Sequence, residues 1–338
     1  MARPIALLLL LLAGVAPFAP MGGTRQYVLH VLIQIWIWSF IGGAWSLMGR
    51  FGLVSLGHGA FLGIGAYTTV LLWNFFGLTP WIGSVVGMAG AVLIALVIGD
   101  PCFRFRVVGH YFALVTLAVG EVVRLLIIAE RDWTAGSLGL TLKPAGTDSI
   151  LAIQFADRRV FYYAALLTWL GGLWIWHRVD RSMARSALEA IGEDETAAAS
   201  VGIHVTRFKL GITVLSAALT ALGGAVYAQY ITYVNPDTLS GIGVSLKIVF
   251  AVVLGGMYSL LGPLVGTALT TALSEGLRIV FGLKLLGMAD TIYGLVLILC
   301  IIFLPLGIYG SLREAFVHPR ARVPPGPARS SRTGRLRA

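Results

Sequence analysis

Long apolar stretches, separated by short polar ones, run along almost the whole chain. Most are close to the roughly 20 residues that a helix needs to cross the hydrocarbon core of a membrane. The candidate helices cover residues 5–21, 27–48, 53–76, 80–99, 110–129, 160–177, 210–232, 243–258, 262–281 and 288–309. The stretches lack the ten-residue alternation of transmembrane β-barrels. The pattern predicts an all-α fold, a polytopic membrane helical bundle with about 10 transmembrane helices.

Composition agrees with this fold class. Of the 338 residues, 57% are hydrophobic and 42 are glycine. Small residues let membrane helices approach closely. Residues 1–4 and 5–20 resemble the charged and apolar regions of a signal peptide. The alternative is a first membrane helix, which we favour because the run is long and no clear cleavage site follows it.

The positions of the positive charges predict the orientation. The net charge of +10 arises from short loops and the C-terminal tail, as expected for cytoplasmic segments. Basic clusters at 178–209 and after residue 310 are separated by four predicted spans, so both fall inside. The expected topology has both termini in the cytoplasm. Residues 1–317 form the membrane domain, and residues 318–338 form a disordered basic cytoplasmic tail.

The connection at 130–159 is the longest outer one, and its glycines and prolines fit either an ordered cap or a plain surface loop. Six glycines between residues 49 and 67 weaken a regular helix. One interpretation is tight helix packing. The other is a broken helix that lines a translocation pathway, with Ser55 and His58 facing it.

Several ionisable residues fall within the predicted spans. Glu121 and Arg124 lie three positions apart, as do Glu275 and Arg278. Each pair is either a local ion pair or a polar patch beside a pathway, since a lone charge in hydrocarbon is costly. Lys247 is expected to be an interfacial anchor near a helix end.

The acidic, alanine-rich segment 187–203 is too charged to cross a bilayer. It predicts a helix outside the membrane whose small residues let another protein pack closely. The sequence lacks a phosphate-binding loop of the Gly-x-x-x-x-Gly-Lys-Ser/Thr type, so we do not expect the chain to hydrolyse ATP alone. We also expect no metal site, cofactor or catalytic nucleophile. The chain is therefore expected to be a transport subunit and not an enzyme.

Four blocks resemble the LivM-type permease subunits of ATP-binding-cassette importers for branched-chain amino acids. They are SLGHGAFLGIGAY at 55–67, GHYFALVTLAVGE at 109–121, AIGEDETAAASVGI at 190–203 with VTRFKL at 205–210, and VVLGGMYSLLGP at 252–263. The likeness covers about residues 45–309. Departures occur at 134–140 and at Arg50 and Leu53, near the pathway or its mouth.

The resemblance implies a multi-pass subunit of the bacterial inner membrane. Its partners would be a second related permease, two ATPase subunits and a soluble substrate-binding protein. It implies that 187–203 docks onto the ATPase, through Glu193, Asp194, Glu195, Ala197, Ala198, Gly202 and Arg207. The residues expected along the translocation pathway are Ser55, Gly57, His58, Gly59, Thr116 and Glu121.

Two alternatives stay open at this point. Permeases similar to this family carry urea or short amides, so the substrate can differ from a branched-chain amino acid. In a different class, a stand-alone secondary carrier or channel would explain the spans and the glycine-rich helix equally well. It would not explain the acidic segment 187–203, except as an ordinary solvated loop.

Overall fold

A computed structural model of the chain describes residues 24–146 and 148–281. It also describes residues 14 and 16–18 and scattered positions between 291 and 308. The expected spans 5–21 and 288–309 lie largely outside the described residues, and the expected tail 318–338 lies wholly outside them.

The described part of the chain is mainly helical. In chain order its helices are α1 (Arg25–Gly49), α2 (His58–Phe76), α3 (Pro80–Arg104), α4 (His110–Ala129), α5 (Arg131–Thr134), α6 (Arg158–Asp180), α7 (Met183–Glu193), α8 (Glu195–Ser200), α9 (Val205–Ile231), α10 (Pro236–Leu239), α11 (Ile242–Gly255) and α12 (Gly262–Phe281). Short 3₁₀ turns occupy Ala16–Phe18 and Gly136–Leu138. The strands β1 (Leu140–Thr141) and β2 (Tyr233–Val234) form one antiparallel pair.

Six of the described helices are long and apolar enough to cross a membrane. They are α1, α2, α3, α4, α9 and the combined segment Pro236–Gly255. The chain is therefore a helical membrane protein. Helices α6 and α12 coincide with two further predicted spans, 160–177 and 262–281, although they are not among these six.

The bundle is centred on α1, α2 and α9, and its outer helices keep their apolar side chains on the surface. Trp45 on α1 and Leu62 on α2 are fully buried. By contrast, Leu93 and Val97 on α3 and Leu126 on α4 are exposed. A helix that carries large apolar side chains on both its inner and outer faces is typical of a membrane span that contacts lipid.

Glycines bring the central helices to backbone contact. A Cβ on Gly65 would lie 1.9 Å from the carbonyl oxygen of Ala221, and one on Gly224 would lie 2.1 Å from that of Leu62. Gly87 of α3 closes on the same point of α2, because its Cβ position is 3.0 Å from the Cα of Gly65. The predicted packing role of the glycines is confirmed at these crossings.

Two predicted helices are shorter than the sequence suggested. The helix expected at 53–76 begins only at His58, because side chains bind the preceding backbone: Thr116 Oγ1 accepts from the Leu56 amide, and the Trp45 indole donates to the Ser55 carbonyl. The helix expected at 243–258 ends at Gly255, since Gly256 adopts φ +110°, which glycine readily adopts.

The long connection at 130–159 is an ordered cap rather than a plain surface loop. Its strand β1 pairs with β2, so Leu140 lies opposite Val234. Asn74 of α2 fixes the next residues: its amide donates to the Thr141 carbonyl at 2.9 Å, and its side-chain oxygen accepts from the Lys143 amide at 2.9 Å. These bonds hold the cap over one end of the bundle.

Candidate functional site

The charged segment lies at the end of the bundle opposite the cap. This end also holds Arg50, Arg104 and Arg106, and we call it the basic end. The segment consists of α7 and α8, rather than the single helix expected across 187–203. The chain breaks at Asp194, whose carboxylate accepts from the backbone amides of Thr196 at 2.7 Å and Ala197 at 3.1 Å. An aspartate that bonds to the amides ahead of it starts a new helix.

An ion pair attaches α8 to the membrane helix α9. The Lys209 ammonium pairs with the Glu195 carboxylate and lies 5.8 Å from the centre of the Phe103 ring. The Lys209 side chain is only 6% exposed and that of Glu195 is 29% exposed. Ala198 is also buried. Glu195 and Ala198 therefore face the bundle and hold the segment in place.

The other residues expected to dock a partner face outward. The exposed members are Glu193, Asp194, Ala197, Gly202 and Arg207. Gly202 has φ +89°, in the left-handed region, so it turns the chain from α8 towards α9. The structure thus separates the expected docking residues into an outward-facing group and an anchoring pair.

A second ion pair supports the start of the segment. The Arg50 guanidinium donates to Asp180 at 2.9 Å and stacks over the Trp176 ring at 4.1 Å, and Arg185 of α7 reaches the same carboxylate at 3.2 Å. Burial lowers the pKa of Arg50, and its hydrogen bond to the Asp180 carboxylate opposes that shift. These contacts join α7 to the ends of α1 and α6.

A cleft of about 720 Å³ opens at the basic end between α3, α8 and α9. Its charged lining residues are Asp100, Arg104, Arg106, Glu195 and Arg207. Exposed apolar side chains lie close by in the sequence: Phe105 beside the cleft residues of α3, and Val201 at the end of α8.

At the start of α2, His58 is completely buried in a hydrogen-bond network. Its Nε2 lies 2.9 Å from the hydroxyl of Ser216, which itself donates to the Ala44 carbonyl. Since that hydroxyl proton is used, Nε2 donates to Ser216, and Nδ1 lies 3.1 Å from the Ser55 hydroxyl. His58 thus joins α1, α2 and α9 through hydrogen bonds.

The neighbouring pathway candidates lie at helix contacts. A Cβ on Gly57 would lie 2.2 Å from the carbonyl oxygen of Thr116, so α2 and α4 meet there at backbone distance. The Gly59 amide donates to the Ser245 hydroxyl of α11 at 2.9 Å. A cavity of about 20 Å³ is lined by Ser55, Gly57 and Thr116, among others.

Glu121 belongs to an ionic triad that also joins two helices. Arg124 Nε lies 3.0 Å from both Glu121 carboxylate oxygens, and Arg124 Nη1 lies 2.6 Å from Asp237 Oδ1. The triad connects α4 to the short helix α10. The interpretation of Glu121 and Arg124 as a local ion pair is confirmed, and Asp237 extends this pair to α10.

Sequence reasoning missed several partners of these residues. Lys209, Ser216 and Asp237 are far in sequence from the groups that they bind. In the sequence, Lys209 counts only as part of the basic cluster 178–209; the rarity of charge at the edge of an apolar span is the signal that could have found it. Lys247 lies five residues after the first residue of α11, over the Trp38 ring at 4.5 Å, and its expected role as an interfacial anchor stays a prediction.

Comparison with known proteins agrees with this architecture. Residues 26–304 match the family described as "Branched-chain amino acid transport system / permease component". The chain is 32% identical over 292 residues to the high-affinity branched-chain amino acid permease LivM of Escherichia coli K12, covering 80% of this chain and 67% of that protein. No solved structure is significantly similar to the chain.

More distant relatives include a second branched-chain amino acid permease and a permease named for a different substrate. The chain is 26% identical over 306 residues to LivH of Escherichia coli K12, covering 84% of this chain and 97% of LivH. It is 28% identical over 254 residues to the guanosine transporter permease NupQ of Bacillus subtilis, covering 71% and 77%. The family match spans most of the membrane helices described above. The chain therefore belongs to the branched-chain amino acid permease family of ATP-binding-cassette transporters and is a bacterial inner-membrane transport subunit.

Proposed function

We propose that the chain forms part of the pathway of an ATP-driven importer for branched-chain amino acids. Its partners are a second related permease, two ATPase subunits and a soluble substrate-binding protein, and ATP is hydrolysed by the ATPase subunits. The support for this substrate is the likeness to LivM and LivH. We also propose ten crossings with both termini in the cytoplasm, which places the basic end inside.

The segment 187–203 is the ATPase-docking element of this proposal. The supporting observation is that α8 is bound to the bundle on one face and exposed on the other. Glu195 and Ala198 hold its inner face, while Ala197 is exposed on the outer face. A short helix held rigidly in this way transmits a displacement to α9 through the Glu195–Lys209 pair. The adjoining cleft suits an acidic surface of the ATPase, since its three arginines outnumber its two carboxylates, Asp100 and Glu195.

The pathway is proposed to run beside the start of α2. Ser55, Gly57 and Thr116 lie at the contact of α2 with α4, and Glu121 lies at the contact of α4 with α10. Gly59 contacts α11 and His58 contacts α9, both at the start of α2. In the present conformation the contact of α2 with α4 is closed around a cavity of about 20 Å³. Separation of α4 from α2 would expose Ser55 and the Thr116 hydroxyl, while His58 keeps its hydrogen bond to Ser216 in the core.

A charge-insertion variant tests the docking role. Ala197→Arg places a bulky cation on the exposed face of α8 and is expected to abolish co-purification of the ATPase. The matched control is Ala156→Arg, the same change at an exposed alanine at the opposite end of the bundle. Quantitative mass spectrometry of the tagged, detergent-extracted chain measures the ATPase and the second permease.

The expected result is a stoichiometric ATPase with the wild type and with Ala156→Arg, and little ATPase with Ala197→Arg. An ATPase retained in full by Ala197→Arg would contradict docking at this face. A wild-type chain that purifies alone, stable and without any ATPase, would contradict the importer proposal itself and favour a stand-alone carrier or channel.

A further inference from the structure

A polar cavity lies within the membrane helices, apart from the proposed pathway. It has a volume of about 180 Å³ and lies between α1, α9, α11 and α12. Its lining residues include His30, Gln34, Trp38, Tyr227, Lys247 and Glu275. None of the residues assigned above to docking or to the pathway lines it.

Lys247 carries a charge into this cavity without an ion-pair partner among the residues that the structure describes. Its ammonium lies 4.5 Å from the centre of the Trp38 ring, and its side chain is exposed. Lys209, the other lysine within a described span, pairs with a carboxylate. An ammonium within a span is costly unless it faces a partner or water, and the described residues provide no carboxylate partner, so a bound anion would stabilise Lys247.

The carboxylate that shares the cavity is already engaged elsewhere. Glu275 accepts a hydrogen bond from the Tyr27 hydroxyl at 2.8 Å and lies 3.6 Å from the guanidinium of Arg278. Lys247 and Arg278 together carry two positive charges against the single negative charge of Glu275. Among the described lining residues, positive charge therefore exceeds negative charge beside the aromatic rings of Trp38 and Tyr227.

We propose that this cavity binds an anionic group, a carboxylate or a phosphate, with Lys247 as its counter-charge. The Trp38 and Tyr227 rings form the wall for the adjoining apolar part of the ligand. At about 30 Å³ per water, the space of about 180 Å³ equals about six waters, enough for one small organic group. The two sources of this chemistry are a small carboxylate solute and the headgroup of an anionic lipid.

Chemical labelling of lysines in the purified full-length chain tests the site without requiring a variant to fold. An amine-acylating reagent is applied in phosphatidylcholine nanodiscs, and peptide mass spectrometry follows the rate at Lys247. Lys143, in the cap, is the internal control because it lies outside the cavity. The probes are L-leucine, L-leucinamide, which lacks the carboxylate, and phosphatidylglycerol added to the nanodisc.

At a probe concentration of about ten times its Kd, the labelling of Lys247 is expected to slow about tenfold, with no change at Lys143. Protection by L-leucine but not by L-leucinamide assigns the site to a solute carboxylate. Protection by phosphatidylglycerol assigns it to a lipid headgroup. Labelling that no anionic probe slows, or a Lys247 that never reacts, would overturn the proposal.

A pair of variants provides the second test. Lys247→Arg keeps the positive charge and is expected to bind the protecting probe as the wild type does. Lys247→Met removes it and is expected to lose at least about tenfold in affinity, as measured by ligand-induced thermal stabilisation. Arg104→Met is the control, since it removes a cation at the basic end. Equal stabilisation of Lys247→Met and the wild type would contradict the assignment. The site does not depend on which solute the transporter carries.

Discussion

The contact between α2 and α9 is expected to tolerate no side chain at Gly224. In Gly224→Ala, the new Cβ would lie 2.1 Å from the carbonyl oxygen of Leu62, whereas real Cβ atoms essentially never approach closer than 3.0 Å. The two helices must separate by about 0.9 Å, because the opposing atom belongs to the backbone and cannot rotate away. Residues packed along the same crossing, such as Gly65 against Ala221, would then lose contact.

The size of this effect follows from two opposing terms. Alanine is the better helix former, by about 1 kcal/mol relative to glycine. Overpacking a tight core destabilises by about 1 to 3 kcal/mol, and a backbone clash falls at the upper end of that range. We expect a net loss of about 2 kcal/mol for Gly224→Ala. Gly211→Ala, on the same helix, meets no atom within 4 Å and is expected to stabilise slightly.

Thermal unfolding in detergent compares the two variants: samples are heated to a series of temperatures, and size-exclusion chromatography measures the folded protein that remains. The reasoning predicts a lower Tm for Gly224→Ala and an unchanged or higher Tm for Gly211→Ala. Equal shifts in both variants would show that helix propensity, and not the approach of α9 to α2, determines the outcome. A Gly224→Ala protein as stable as the wild type would contradict the close helix contact.

Three further predictions concern the charged groups. Glu195→Gln leaves the buried Lys209 ammonium unpaired and is expected to lower stability by about 3 kcal/mol, measured by thermal unfolding. Lys209→Met should cost less, since the remaining carboxylate is 29% exposed; equal losses would contradict this asymmetry. Asp180→Asn removes the counter-charge of Arg50 and is expected to lower stability by about 2 kcal/mol. An unchanged Tm would contradict a stabilising role of the Arg50–Asp180 ion pair. Arg124→Gln breaks a partly exposed triad, with a stability loss of about 1 kcal/mol or less, yet is expected to slow uptake; wild-type uptake would contradict a role in helix movement.

Sequence patterns predicted the membrane helices well because lipid imposes a simple rule. Apolar runs of about 20 residues must be helical, since a helix satisfies its own backbone there. The predicted span 110–129 has the bounds of α4. The starts of helices were harder to predict: α2 begins five residues after residue 53, because Thr116 and Trp45 bind the backbone before it. Those partners are distant in sequence.

In the candidate site, too, the sequence pattern predicted the element but not the contacts that shape it. The acidic composition of 187–203 indicated a segment outside the membrane, but the break at Asp194 depends on a local side-chain bond that competes with helix continuation. Inward-facing Glu195 could not be told from outward-facing Glu193, since its orientation depends on Lys209, fourteen residues later. Likewise, the position of Lys247 over Trp38 depends on how α11 packs against α1.

ATP-driven uptake by the reconstituted transporter tests the central claim most directly. The purified complex of this chain with its second permease and ATPase is placed in liposomes, with the binding protein and radiolabelled leucine outside and ATP inside. The account predicts leucine accumulation that requires ATP hydrolysis and is lost in Ala197→Arg but kept in Ala156→Arg. Leucine entry that is equal without ATP, or equal in both variants, would contradict an importer driven through α8.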